Sequence, residues 1–149
     1  MFGDLRLPPR FWDKVAISPT GCWEWTASTN HHGYGHFRAD GQMSLAHRVA
    51  FTALVGDVPC DRQLDHLCRV RSCVNPDHLQ LVSPRANSLR GTGVAARNAA
   101  KPRCSRGHPL SGDNVRYRVS GGRRRCRECE RIDSRKYRAR KRGRGAAFA

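Results

Sequence analysis

The 149-residue chain is strongly basic, with 28 Lys and Arg against 12 Asp and Glu, a net charge of +16 and a mean hydropathy of −0.68. With 38% apolar residues and no apolar run of the eighteen or so residues a membrane helix needs, it excludes a transmembrane helix and suggests a small core helped by other constraints. One modest domain plus an appendage, held together by further constraints, suits this length. The N-terminus, from Met1 to Trp12, lacks the apolar block of a signal peptide, so a reducing, intracellular compartment is expected. In that compartment the seven cysteines read as thiolate ligands rather than as a disulfide framework, which their odd number also disfavours.

The charge is lopsided. Residues 101–149 hold 17 basic against 4 acidic residues, whereas residues 1–100 hold 11 against 8. A polyanionic partner engaged mainly by the C-terminal third follows from that asymmetry. A membrane surface fits less well, because the tail has no strong apolar face to insert.

In chain order, Arg10 to Ala16 reads as a short amphipathic helix with Phe11, Trp12 and Val15 on one side. Ser18-Pro19-Thr20-Gly21 is a turn, and Cys22 to Trp25 alternates as a strand with both indoles on one face. His31 to Arg38 and Gln42 to Leu45 form a β-hairpin across Asp40-Gly41. Ala46 to Val55 has helical periodicity that buries Val49, Ala50 and Leu54, and His47-Arg48 opens it. Gln63 to Leu67 reads as a strand, and Ser83-Pro84 starts a further helix, with Ser83 as its cap and Pro84 in its first position.

The stretch from Leu64 to Asn87 interleaves two kinds of ligand. Cys68, Cys73 and His78 suit zinc, whereas Asp65 and Asn87 are oxygen donors suited to Mg²⁺ or Mn²⁺. Beside them His66 can take a proton near neutral pH, and an oxygen-bound ion plus a neutral imidazole can hydrolyse a phosphodiester.

In residue types and intervals this stretch resembles the catalytic motif of the HNH, or ββα-metal, endonucleases, in particular the zinc-stabilised His-Cys box branch and small phage-type enzymes. The resemblance implies His66 as general base, Asp65 before it as a metal-binding acid, and Asn87 as the second ligand of the catalytic ion. The motif's central position, often Asn, holds His78, twelve residues after His66 and nine before Asn87, and His78 is better read as a zinc ligand. Cys68, Cys73 and His78 leave one zinc position open. A lone Cys22 would more often be a small buried hydrophobe. In the His-Cys box branch, however, an upstream cysteine before a Tyr-Gly strand completes the set, and Cys22 stands in that place. His47-Arg48 resembles an Ala-His-Arg element found upstream of the motif in phage-type relatives, with either a phosphate-directed or a structural role.

A second unit begins at Cys104. Cys104 and His108, then seventeen residues, then Cys126 and Cys129 have the spacing of a zinc ribbon or finger. Asn114 to Val119 and Arg123 to Cys126 are expected to pair as a hairpin across Ser120-Gly121-Gly122, followed by a basic helix to about Arg142.

The expected architecture is α+β. It comprises a small zinc-stabilised ββα-metal nuclease core with an N-terminal β-hairpin and helix (1–91), a linker or ragged helix extension (92–103), a zinc-ribbon-like ββα unit (104–142) and a disordered tail (143–149). The expected function is a metal-dependent DNA endonuclease of homing or phage DNA-processing type, acting on double-stranded DNA in the cytoplasm of a bacterial host if phage-encoded. It would use one catalytic Mg²⁺ or Mn²⁺ and two structural Zn²⁺. Phosphate contacts are expected from Arg48, Arg85, Arg90, Arg123, Arg124, Arg125, Arg135, Lys136 and Arg138. The alternative is a non-catalytic zinc-dependent nucleic-acid-binding protein, for which Asp65, His66 and Asn87 would have no use. A structural protein of a nucleoprotein assembly leaves the same three residues unexplained.

Overall fold

A computed structural model describes residues 2–118 and 123–146, the last three of these as backbone only. The chain divides into two compact units, Met1–Ser88 and Leu89–Ala149. Helices and two-stranded antiparallel sheets make it an α+β protein, as expected. Among the described residues no helix is long and apolar enough to cross a membrane.

The first unit is built on an aromatic cluster. Helix α1 (Pro9–Trp12) is a single turn with proline in its first position, which suits the fixed φ of that ring. It places Phe11 against Trp25 and Phe37 with ring centroids 5.1 and 5.0 Å apart. The helix expected to reach Ala16 stops at Trp12. Val15–Ile17 instead forms strand β1, antiparallel to β2 (Trp23–Trp25), with Val15 opposite Trp25 and Ile17 opposite Trp23. Pairing of β-branched residues with indoles across a sheet outweighs the local helical pattern.

Strands β3 (His36–Ala39) and β4 (Gln42–Leu45) form the expected hairpin. Asp40 and Gly41 take φ of 49° and 79°, the left-handed pair that a tight two-residue turn requires. Gly35 precedes the hairpin under the Trp25 ring, where a Cβ would lie 2.5 Å from the indole, so no larger residue fits. Helix α2 (Ala46–Leu54) buries Ala46, His47, Ala50 and Phe51. Val49 and Leu54, expected inside, are only partly buried at the edge of the stripe.

Strands β5 (Gln63–His66) and β6 (Leu79–Val82) pair antiparallel, with Asp65 opposite Gln80 and His66 opposite Leu79. Helix α3 (Pro84–Arg90) follows, capped by the Ser83 hydroxyl, which accepts from the Ala86 N–H at 3.2 Å. Leu64 and Leu79 pack with Phe51 of α2, so the hairpin is fixed to the rest of the unit from one face.

In the second unit the stretch expected as a linker or a ragged helix extension contains helix α4 (Val94–Ala100). Arg124 donates to the carbonyls of Asn98 and Lys101 at its C-terminal end, which satisfies oxygens that a helix end leaves open. Strands β7 (Val115–Tyr117) and β8 (Arg124–Cys126) pair as expected, while Val119 to Gly122 lies outside the described residues. Helix α5 (Arg127–Ala146) runs past Arg142 into the segment expected to be disordered, and residues 147–149 lie outside the described residues.

Candidate active site and metal centres

The sequence separates Cys22 from Cys68 by 45 residues, yet the fold joins them through strand β2. The loop after β5 lies alongside that strand: Trp25 N–H donates to Ser72 O at 2.9 Å and Val74 N–H to Trp23 O at 2.8 Å. Asn75 locks the arrangement. Its amide donates to Gly21 O at 3.0 Å and its oxygen accepts from Asp77 N–H at 3.1 Å, capping a 3₁₀ turn (Pro76–His78) that presents His78. The donor atoms of Cys22, Cys68, Cys73 and His78 all lie within 4.8 Å of one another, as do those of Cys104, His108, Cys126 and Cys129.

These separations test whether a metal fits. Zinc–sulfur bonds of about 2.3 Å and zinc–nitrogen bonds of about 2.0 Å place tetrahedral donors roughly 3.5–3.8 Å apart. In the first set His78 Nδ1 lies 3.4 Å from Cys22 Sγ and 3.6 Å from Cys73 Sγ. In the second, His108 Nδ1 lies 3.3 Å from Cys129, 3.5 Å from Cys104 and 3.7 Å from Cys126, and the Cys104 and Cys129 sulfurs are 3.6 Å apart. Both clusters therefore have zinc-compatible dimensions and four soft or borderline donors. Burial pushes the Cys73 thiol up to about 12, and it also raises Cys68, so ionising these ligands needs a cation between them.

Alternation along β5 sorts the remaining residues. Asp65 shares a strand face with Gln63, whose Oε1 accepts from Asn87 Nδ2 at 2.8 Å. The fold thus brings Asn87 to the Asp65 face, with its amide N–H engaged and Oδ1 left as the potential ligand atom. Asp65 is buried, and Arg69, whose φ is 61°, holds Asp65 Oδ1 at 2.7 Å.

His66 lies on the opposite face, at the last position of the strand, and is 5% exposed. Its Nε2 is 2.9 Å from Cys73 O. Because a carbonyl only accepts, Nε2 carries the proton and Nδ1 holds the lone pair of the neutral ring. Burial lowers the His66 pKa from 6.5, against opposing contributions from the Cys73 carbonyl and Asp65.

Around His66 stand residues that motif spacing did not identify. The His47 ring lies 4.9 Å from it, edge to face, and Tyr34 lies 5.7 Å away and 5.3 Å from His47. His47 is 5% exposed, its Nδ1 has no hydrogen-bond partner, and burial, then His66, hold its pKa down to about 3. Arg71 lies over the Tyr34 ring at 5.9 Å and donates to His32 O. The Ala-His-Arg element signalled His47 and the Tyr-Gly strand contains Tyr34; nothing in the motif signalled Arg71 or Asn75.

The expected phosphate contacts are dispersed. Arg48 is exposed beside a groove that also includes Arg6 and Arg10, and Arg85 is exposed on α3. Arg90 at the end of α3, and Arg123, Arg125, Arg135, Lys136 and Arg138 in the second unit, are exposed as well, whereas the Arg124 guanidinium is engaged by α4.

Residues 44–89, from β4 to α3, match the HNH endonuclease family, a family of nucleases whose members act on nucleic acid with a bound metal. The chain is 28% identical to Protein 2.8 of Escherichia phage T7 over 113 residues, covering 74% of this chain and 73% of the relative. It is 36% identical to Protein 7.7 of the same phage over 67 residues, covering 45% of this chain and 52% of the relative. No solved structure matches. Asp65, His66 and Asn87 all lie inside the matching segment, so residues 44–89 are similar to an HNH endonuclease domain.

Proposed function

We propose that the protein is a metal-dependent endonuclease that hydrolyses phosphodiester bonds of double-stranded DNA, with His66 as general base and Asp65 and Asn87 as ligands of one Mg²⁺ or Mn²⁺. The observation that carries this reading is the buried His66 ring, tethered through Nε2–H to Cys73 O, which leaves Nδ1 as the proton acceptor. The depressed pKa keeps that nitrogen unprotonated at neutral pH.

When bound, the ion would supply charge stabilisation to the phosphate under attack. The chain does the rest. Asp65 and Asn87 would hold the ion, and Arg69 balances the Asp65 charge. His66 ends its strand, so a phosphate at that end can meet both faces. Nδ1 then takes a proton from water, Cys73 O keeps the ring from turning, and the nearby Asp65 carboxylate favours the imidazolium that forms.

The two Cys/His sets serve as structural zinc sites in this reading, since four protein ligands leave no position for a reacting water. The proposed division is a nuclease domain over 1–91 and a zinc finger with its basic helix from 104, joined through a segment containing α4. The protein would act in the cytoplasm of a bacterial host, as homologues in a phage suggest.

Supercoiled plasmid incubated with the purified chain tests the reading. Nicked or linear product with 5′-phosphate ends is expected with Mg²⁺ or Mn²⁺ and none after chelation of the added ion. Tight plasmid binding without any cut, whichever divalent ion is supplied, would establish the non-catalytic nucleic-acid-binding alternative instead.

A further inference from the structure

The second unit carries a groove of about 420 Å³ formed by one residue of β7, Arg116, and one side of α5. From the helix come Arg127, Arg131, Arg135 and Arg138, together with Glu130 and Ser134. At 3.6 residues per turn the four helical arginines fall within an arc of about 80° and along about 16 Å of axis. Lys136 and Arg140 fall outside that arc.

Five arginines thus face one carboxylate across a single groove. Arg131 makes a loose ion pair with Glu128 at 3.4 Å, and among the described residues the other four have no acidic partner within ion-pair distance. Concentrated like charge destabilises a small unit unless a polyanion neutralises it. The lining also holds no aromatic ring, which disfavours a single strand, because single strands are gripped by stacking bases on aromatic platforms. A linear array of guanidinium forks suits the phosphates of a duplex, read without regard to sequence.

We propose that this groove is a docking track for the phosphate backbone of duplex DNA, and that these five arginines, rather than the bulk charge of the C-terminal third, supply the second unit's affinity. The proposal takes from the nuclease reading only the identity of the polymer.

The test uses the full-length, zinc-loaded chain with His66→Ala, so that binding is read without cutting. One variant changes Arg127, Arg131, Arg135 and Arg138 to Gln. Its charge-matched control changes Arg123, Arg125, Lys136 and Arg140 to Gln. The groove variant should bind a short random-sequence duplex about a hundredfold more weakly, and its log–log salt slope should shrink by about 3.6. The control should lose far less, and replacing the same four groove arginines by Lys should restore most of the affinity. Zinc content and helicity report whether each variant folds. Ser134→Glu, which removes no arginine, should weaken duplex binding about tenfold at low salt by placing one more negative charge in the groove.

Equal losses in groove and control variants would overturn the proposal in favour of bulk charge. Unaltered binding by Ser134→Glu, or tighter binding of single-stranded DNA or RNA by the parent, would overturn it too. Cleavage is not measured here, so a failure of the groove is distinguishable from a failure of the nuclease chemistry.

Discussion

The two units are held together by different physics. The first buries Leu7, Phe11, Trp23, Trp25, Phe37, Ala46, Ala50 and Val74 around its aromatic rings and adds a second cluster of Phe51, Leu64 and Leu79. In the second, the one buried hydrophobic side chain among the described residues is Cys126, itself a member of the Cys/His set. Apolar burial therefore stabilises the first unit independently of its metal cluster, whereas the second has almost no apolar area to offset chain entropy. The difference also divides the labour. A packed core can hold buried polar groups such as His47, Asp65 and His66, while a thin unit gathered around a Cys/His set can only display charge.

Metal removal should strain this comparison most. Structural zinc contributes on the order of 10–16 kcal/mol to the folding of small finger units. Exhaustive chelation is expected to abolish amide protection in β7, β8 and the start of α5 entirely. The first unit should loosen around Cys22 and Asn75 but keep part of its aromatic cluster. All three tryptophans lie in that unit, so their fluorescence reports it alone while hydrogen exchange reports both. Simultaneous loss of protection in the two units at one chelator concentration would erase the proposed distinction.

Next in size is the chemistry confined to the first unit. His66→Ala should lower plasmid cleavage by roughly two to four orders of magnitude, the usual worth of general base catalysis, with zinc content and DNA affinity retained. Asn87→Ala should lose activity that higher Mg²⁺ or Mn²⁺ partly restores. His78→Ala should instead lose the first unit's zinc and loosen the structure around Cys22 and Asn75, with part of the aromatic cluster kept. Cleavage by His66→Ala at the wild-type rate would remove the proposed base.

The smallest expected effects concern pH. With the His66 pKa depressed by burial, single-turnover cleavage should rise with pH with its midpoint below the usual imidazole value of 6.5. His47 also titrates far below its unfolded value, at about 3 against 6.5, so it contributes stability above pH 6.5 that is progressively lost as pH falls towards 3. Replacing His47 by Phe keeps a ring beside His66 and should flatten the fall of the first unit's melting temperature over that window. An identical pH dependence in the two proteins would show that His47 titrates normally. Cys73, held up at about 12 without metal, predicts in addition that zinc affinity weakens steeply on acidification, measurable by competition with a chromogenic chelator.

Local chemistry made several features legible without coordinates. The Asp40-Gly41 turn, the Ser83 cap and the Cys104 to Cys129 spacing each depend on residues close in sequence, and each stands where it was expected. Element lengths were less legible. Arg10 to Ala16 has a helical pattern, but Val15 and Ile17 gain more by pairing with Trp25 and Trp23 than by completing a helical turn. The segment from Val94 to Pro102 reads as a linker or a ragged helix extension, because helix propensity fades at Gly91-Thr92-Gly93; α4 forms there, and Arg124 bonds carbonyls at its end.

What the sequence determined by itself is the set of ligand types and the Asp65-His66 pair at the end of a strand, because residue identity and short spacing decide donor chemistry. Which atoms those groups present was decided only in three dimensions. Cys22 reaches Cys68, Cys73 and His78 because Trp23 and Trp25 bond the backbone of residues 72–74, a contact whose energy comes from a hydrogen-bonded strand pairing distant in sequence. The carbonyl of Cys73 decides which His66 nitrogen keeps the proton, and α2 packed on β5 puts His47 against that ring. Such contacts close long loops around one aromatic core, and no local pattern records where a closed loop will bring its ends together.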